Sequence, residues 1–264
     1  MPTCAYCKCE TPLTREHIIP AFIYRLGQSG NRFTGWNLSA EKMLKSEQVI
    51  RDVCAACNSG PLSELDAYAK NFLGSAGLLK DNFPGTELVL RYDYQRLLRW
   101  LLKVSFNSAR AHGSHGPFFD RFCTFIREGA PSPERHQVSL AVQLLGPKLV
   151  SADERAKMDA TIRVEPDGKW NPFLFRNGWA PEFDEASLFR LRTVIVGPAV
   201  FYLILFSEGV NAREASKAVR KLLRLHLPAK ELSPCYRAAA ISASKQTWLE
   251  FYAPQVLLQH AADG

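Results

Sequence analysis

Two Cys-x-x-Cys turns, Cys4-Ala5-Tyr6-Cys7 and Cys54-Ala55-Ala56-Cys57, stand on either side of a Glu-His dipeptide, Glu16-His17. One such turn presents two thiolates from a tight loop, and two complete the tetrahedral set that a structural Zn²⁺ requires. Cys9 lies close enough in sequence to compete for a place in that set. Cys123 and Cys235 stand alone and are expected as buried core thiols. Glu16, His17 and Asn58, the residue after Cys57, lie outside the thiolate set. They are the residue types of a one-metal phosphodiesterase centre. Imidazole exchanges a proton near neutral pH, and an amide oxygen is a hard, neutral donor suited to Mg²⁺ or Mn²⁺. Asn58 has a second reading as a helix N-cap, a role Asn fills well.

Residues 13–20, which carry the dipeptide, read as a strand or loop, and residues 49–53 as a short strand feeding the second cysteine turn. Gly60-Pro61 looks like a helix start. After it Leu62, Leu65, Ala69, Phe72 and Leu73 recur at helical spacing, so Asn58 is expected at or just before a helix N-terminus. A segment this small has little core of its own, and the metal would act as its staple. The Gly-rich stretch 74–85, broken by Pro84, is the expected boundary between a zinc domain at 1–80 and a larger body at 81–264. In the body, helices are expected at about 94–111, more weakly at 118–127, and at 212–225. Strands are expected at 136–145, 161–165, 188–196 and 200–206. Pro228 and Pro234 mark a linker, and 247–260 reads as partly helical. The fold class is therefore α+β, with a zinc-stabilised head followed by a mixed α/β body.

The composition is that of an ordinary folded protein, 47% apolar and 22% charged. Lys and Arg outnumber Asp and Glu by 33 to 26, giving a net charge of +7 and a pI near 9.1. That balance favours anionic partners, nucleic acid first among them. The most apolar stretch, 193–207, is interrupted by Gly197-Pro198 and is too short to span a bilayer; it reads as two buried strands meeting at a turn. With no signal peptide visible and an odd number of cysteines, reduced thiols in the cytoplasm are expected, with no membrane association.

The run Arg15-Glu16-His17-Ile18-Ile19-Pro20 between two Cys-x-x-Cys pairs, with Asn58 directly after the second, resembles the HNH, or ββα-metal, endonuclease family. The specific match covers about the first quarter of the chain. The resemblance implies a ββα-metal fold for the head and metal-dependent hydrolysis of a nucleic-acid phosphodiester, most readily in double-stranded DNA of a bacterial cell. It assigns His17 as general base, and Glu16 and Asn58 as ligands of a catalytic Mg²⁺ or Mn²⁺. It leaves Cys4, Cys7, Cys54 and Cys57 to a structural zinc that does no chemistry. Arg15 either is placed to contact a phosphate beside the scissile one or is a solvated surface arginine. One position departs from the family pattern. A middle Asn usually precedes the second cysteine pair and orients the histidine, whereas here the neighbourhood reads Gln48-Val49-Ile50-Arg51-Asp52-Val53. Gln48, a backbone carbonyl or Asn37 could take that role. The alternative function is a zinc-stabilised nucleic-acid-binding protein without catalysis; a zinc module for protein contacts is a third.

Two basic stripes bear on the nucleic-acid reading. Arg213, Lys217, Arg220, Lys221 and Arg224 share one side of the 212–225 helix, opposite Ala215, Val219, Leu222 and Leu223. Arg96, Arg99, Lys103 and Arg110 share a narrow arc of the 94–111 helix. Each stripe is either a solvated face or a surface that tracks phosphates.

Overall fold

The computed structural model describes residues 1–26, 35–37, 42–44, 47–111, 116–158, 162–180 and 188–252. Near the N-terminus, β1 (Leu13–His17) leads into α1 (Ala21–Leu26), and a short hairpin follows, β2 (Gly35–Asn37) with β3 (Lys42–Leu44). β4 (Val49–Cys54) then returns antiparallel to β1, from Leu13↔Cys54 to His17↔Val49, with an irregularity between Thr14 and Glu16. A one-turn helix α2 (Ala55–Cys57) and an irregular turn at Asn58–Leu62, kinked at Gly60, lead into α3 (Ser63–Ser75). The helix expected at Gly60-Pro61 thus settles only after that turn. Its buried face is the expected one: Leu65, Ala69, Phe72 and Leu73.

The remainder contains β5 (Glu87–Arg91), α4 (Tyr94–Ala111), a 3₁₀ segment (Gly116–Phe122), α5 (Cys123–Glu128) and β6 (Val138–Gly146). It continues through β7 (Lys148–Leu149), α6 (Ala152–Ala156), β8 (Lys169–Trp170), β9 (Phe175–Trp179), β10 (Phe189–Val196) and β11 (Ala199–Phe206). It closes with α7 (Ala212–Leu225), β12 (Lys230–Glu231) and β13 (Ala238–Thr247). The main sheet has the order β5-β13-β6-β11-β10-β9, with β12 also pairing to β6. The apolar stretch around Gly197-Pro198 is the β10–β11 hairpin, with Val196 opposite Ala199 and Gly197 at φ +55°. No helix among the described residues is long and apolar enough to cross a membrane.

Period-2 alternation divides the sheet between two layers. Ala199, Phe201, Leu203 and Leu205 of β11 join the core formed with α4 and the cysteine-bearing segment. Val200, Tyr202, Ile204 and Phe206 face the opposite core, built with Ala215, Ala218, Val219 and Leu222 of α7. α4 is therefore sandwiched. Its residues Leu97, Trp100, Leu101 and Val104 share one apolar cluster with Tyr6, Val53 and Leu65 on one side and with Phe201 on the other. Packing crosses the 74–85 stretch without a break.

Some expectations shift. Residues 162–165 form no strand, and β12 occupies part of the stretch read as a linker. β5, β9 and β13 were not anticipated; β13, Ala-Ala-Ala-Ile-Ser-Ala-Ser-Lys-Gln-Thr, has few of the β-branched and aromatic residues that mark strands. A helix begins at Trp248, and the rest of the 247–260 reading beyond Tyr252 lies outside the described residues. The polar, Gly-rich stretch 28–35, which reads as an exposed loop, also lies outside them except for Gly35, where β2 begins.

Candidate metal centre and the His17 site

The two cysteine turns meet. One ligand atom from each of Cys4, Cys7, Cys54 and Cys57 lies within 4.8 Å of the other three, with Cys7 Sγ and Cys54 Sγ 3.7 Å apart. Zn–S bonds of about 2.3 Å in a tetrahedron put sulfurs about 3.8 Å apart, so the donor set fits a zinc ion. The turns are shaped by their own backbones. Lys8 N–H donates to Cys4 O (3.0 Å) and Cys4 N–H to Cys9 O (3.0 Å), with Lys8 in the left-handed region at φ +60°. Cys54 caps α2, its sulfur accepting from Cys57 N–H at 3.4 Å, and its own N–H reaches Cys4 Sγ at 3.4 Å. Burial and the neighbouring thiols push the Cys57 thiol up, and burial raises Cys54 as well. At Cys7 burial is outweighed by hydrogen bonds from the Cys9 backbone and from Cys4 and Cys54, which bring its thiol down to about 6. Four sulfurs this close are strained as thiolates, and a divalent cation relieves that strain. Cys9 is exposed and outside the cluster. Cys123 is buried as expected, its thiol raised to about 11 by burial; Cys235 is exposed, contrary to expectation, on the turn between β12 and β13.

Glu16 and His17, adjacent on β1, part company. Glu16 is 4% exposed and points at α4. Its carboxylate lies 3.0 Å from Lys103 Nζ and accepts from Asn107 Nδ2 at 2.9 Å. Lys103 is itself buried, lies 2.7 Å from Asp66 Oδ2 and donates to Leu62 O at 3.2 Å. Burial alone would lower the Lys103 pKa, but Asp66 and Glu16 more than offset it and the value is raised. Asn107 also donates to the His17 carbonyl (3.0 Å) and accepts from Tyr6 OH (2.6 Å). Arg110 grips Asp52 of β4 with two nitrogens, at 2.6 and 3.2 Å. α4 thus fastens both strands, and its Lys103 and Arg110 are internal tethers, whereas Arg96 is exposed.

The His17 ring turns outward, with its side chain about one-third exposed. Nε2 lies 2.8 Å from Glu47 Oε2, and no partner meets Nδ1 among the described residues. Arg15, two residues back on a strand, shares the outer face with His17 and is exposed. Asn58 is held from beneath. Its Nδ2 donates to Thr14 Oγ1 (2.8 Å) and Arg15 O (2.9 Å), while Thr14 Oγ1 donates onward to Val53 O (2.8 Å). The amide thereby braces β1 against the start of the helical segment. Its side chain is no N-cap: the α2 N-cap is Cys54, with Asn58 at the C-terminal end of that turn through its backbone N–H to Ala55 O, and the α3 N-cap is Leu62 without a side-chain bond. Both amide hydrogens are committed and the oxygen has no partner among the described residues.

No described contact joins the Glu16 carboxylate to Asn58 or to the His17 ring. A divalent ion at Glu16 would have to displace a buried ammonium, so the pair assigned to Mg²⁺ or Mn²⁺ is not gathered as a cation site in this arrangement. Glu47 and Asn107 escaped the sequence reading, and Lys103 entered it only as part of a basic stripe. Glu47 sits one residue before the proposed orienter Gln48, whose backbone instead pairs with Ile18 N–H and Tyr24 OH; Asn37's side chain lies outside the described residues. Lys103 did carry a signal: a charged residue inside Leu101-Leu102-Lys103-Val104 is expected to have a buried partner. The five basic residues of α7, from Arg213 to Arg224, are exposed, and α7 packs on the sheet face away from α4 and the cysteine turns.

Comparison with known proteins adds no neighbour: no family model, curated protein or solved structure matches the chain.

Proposed function

We propose that the chain is a nucleic-acid endonuclease of the HNH type, with double-stranded DNA as the expected substrate and His17 as general base. The observation that carries this reading is the His17 ring itself, fixed through one nitrogen and, among the described residues, open at the other. A proton on Nε2 donated to Glu47 leaves a lone pair on Nδ1, and a carboxylate in this position sets the tautomer and orientation of the ring. Nδ1 takes a proton from water as that water attacks the phosphorus; the P–O bond to the leaving oxygen breaks, and the leaving oxygen is protonated from solvent. Arg15, on the same outer face, offers a guanidinium to a non-bridging phosphate oxygen. Cys4, Cys7, Cys54 and Cys57 would hold zinc as the staple of the strand pair and the following helix. No step of this reading passes through Mg²⁺ or Mn²⁺, because Glu16 is engaged elsewhere.

The second reading, nucleic-acid binding without cleavage, is favoured by one specific observation: the Glu16–Lys103 ion pair occupies the carboxylate that family chemistry would place on a metal. Plasmid nicking separates the two. Wild type, His17→Ala and Glu47→Gln would be incubated with supercoiled DNA in Mg²⁺, in Mn²⁺ and without added divalent ion. Nicking by wild type that falls about 10²–10⁴-fold in His17→Ala supports a general base. Retarded mobility with no nicking under any condition supports the binding reading and removes the enzyme.

A further inference from the structure

α3, α4 and β5 frame an open groove of about 660 Å³ whose lining includes Arg91, Arg96, Arg99, Tyr68, Asn71 and Glu64. Three guanidinium groups face one carboxylate there. Among the described residues the only ion pair to any of the three is a loose one, Arg96 Nε to Asp93 Oδ2 at 3.8 Å. Arg99 is anchored by its rear: Nε donates to Ile126 O (3.0 Å) and Nη2 to Arg127 O (2.7 Å). Burial and then the neighbouring Arg96 lower its pKa, and the opposing pull of Glu64 and Asp93 does not make that up. The Tyr68 and Phe72 rings lie nearly parallel, 5.9 Å apart at 5°, along the same lining. An accumulation of like charge on a rigid wall is unfavourable until an anion enters.

We propose that this groove binds the phosphate backbone of a nucleic acid. The inference rests on the proposed function and deepens it by naming a substrate-holding surface. Two features favour a nucleic acid over a single small anion. The space is far larger than one phosphate, and Arg91 on β5 is carried by a different element from Arg96 and Arg99 on α4, so the charges are spread along the groove. Its position matters equally. α3 is the helix that continues from the second cysteine turn, so the groove lies on the same side of the sheet as His17, whereas the α7 stripe lies on the other.

The test uses the full chain. Arg91 and Arg96 are exposed and carry no bond that holds the fold, so Arg91→Gln/Arg96→Gln is compared with wild type, with circular dichroism and thermal unfolding to verify folding. Arg99 is left alone because its carbonyl contacts are structural. Binding of a labelled duplex is followed by anisotropy from low to moderate salt. The expected result is about tenfold or more loss of affinity and a salt slope smaller by about 2, one per phosphate contact removed. An unchanged affinity and slope in the folded variant overturns the proposal, as does a wild type that binds no duplex. A parallel arm with poly-glutamate guards the choice of partner: if the variant loses poly-glutamate binding but keeps the duplex, the groove belongs to an acidic protein and the proposal fails. Nicking is scored separately, so a groove that binds DNA in a protein that does not nick sinks the nuclease and leaves this inference standing.

Discussion

The thiolate cluster and the Glu16–His17–Asn58 trio occupy the same small stretch of chain, yet they were assembled by different means. Each cysteine pair is gathered by its own turn, and a single strand pairing, Leu13↔Cys54, brings the two turns together. The trio depends on a distant element. α4 reaches back with Lys103 and Asn107, claims Glu16 and leaves His17 outside. Local geometry can be read from spacing; the direction in which a strand residue points depends on what packs against the strand. A motif can thus be complete in sequence while one of its members serves the core.

The largest expected effect falls on the thiolate side of this comparison. Cys54→Ala, or removal of the metal by a strong chelator, should abolish the cooperative thermal transition of the N-terminal segment, because structural zinc contributes on the order of 10 kcal/mol in small zinc-dependent folds. Elemental analysis should find one zinc per wild-type chain and none in the variant. A folded Cys54→Ala protein with undiminished zinc would mean that the four sulfurs are not the ligands.

Next comes the ion cluster under Glu16. Lys103→Met strands two carboxylates, Glu16 buried and Asp66 partly so, and should cost about 3–5 kcal/mol in urea unfolding. Adding Glu16→Gln to Lys103→Met should recover part of that loss, since the buried charge goes with its partner. The pH dependence follows from the raised Lys103 pKa. The group binds its proton more tightly when folded, so its contribution is fully present below the unfolded lysine value of about 10.4. It fades as pH rises from there through the higher folded value. The stability gap between wild type and Lys103→Met should therefore be constant from pH 7 to 9 and shrink above about pH 10.4. A gap that stays constant through that range would show that the ammonium is not what holds Glu16.

On the outward side, stability and activity should separate. The His17–Glu47 pair is half in solvent, and pairs of that kind contribute about 0.2–1 kcal/mol. Glu47→Gln should thus leave the unfolding midpoint nearly unchanged while lowering nicking by about 10–100-fold, the usual cost of losing a carboxylate that orients a functional histidine. Equal nicking by wild type and Glu47→Gln would remove Glu47 from the site.

The sequence made the cysteine cluster, the β4 strand, α3, α4, the β10–β11 hairpin and α7 legible, because each is carried by a local period or turn. β13 was not legible: an Ala- and Ser-rich segment becomes a strand only because β5 and β6 offer it their edges. The same reason hid Glu47 and Asn107, whose roles arise from elements that meet only in the fold. Reading Lys103 with Arg96 and Arg99 as one basic stripe also failed, since helical spacing places residues on an arc without saying which part of that arc is covered.

The smallest effect bears on Asn58, the member of the trio whose role is most evenly divided between brace and ligand. Its two amide hydrogens hold Thr14 and Arg15, and its oxygen has no partner among the described residues. Asn58→Asp keeps an oxygen in place and removes both donors, setting a carboxylate against the Arg15 carbonyl and against Thr14 Oγ1, whose one hydrogen is already given to Val53 O. If the residue is chiefly a brace, the variant should lose about 1–2 kcal/mol and its nicking should fall in every metal condition alike. If the oxygen binds a cation, the added charge should strengthen that contact, and nicking should rise selectively in Mg²⁺ or Mn²⁺ despite the lost stability. The first outcome is expected, because both donors already have partners and the neighbouring carboxylate, Glu16, faces away into the core.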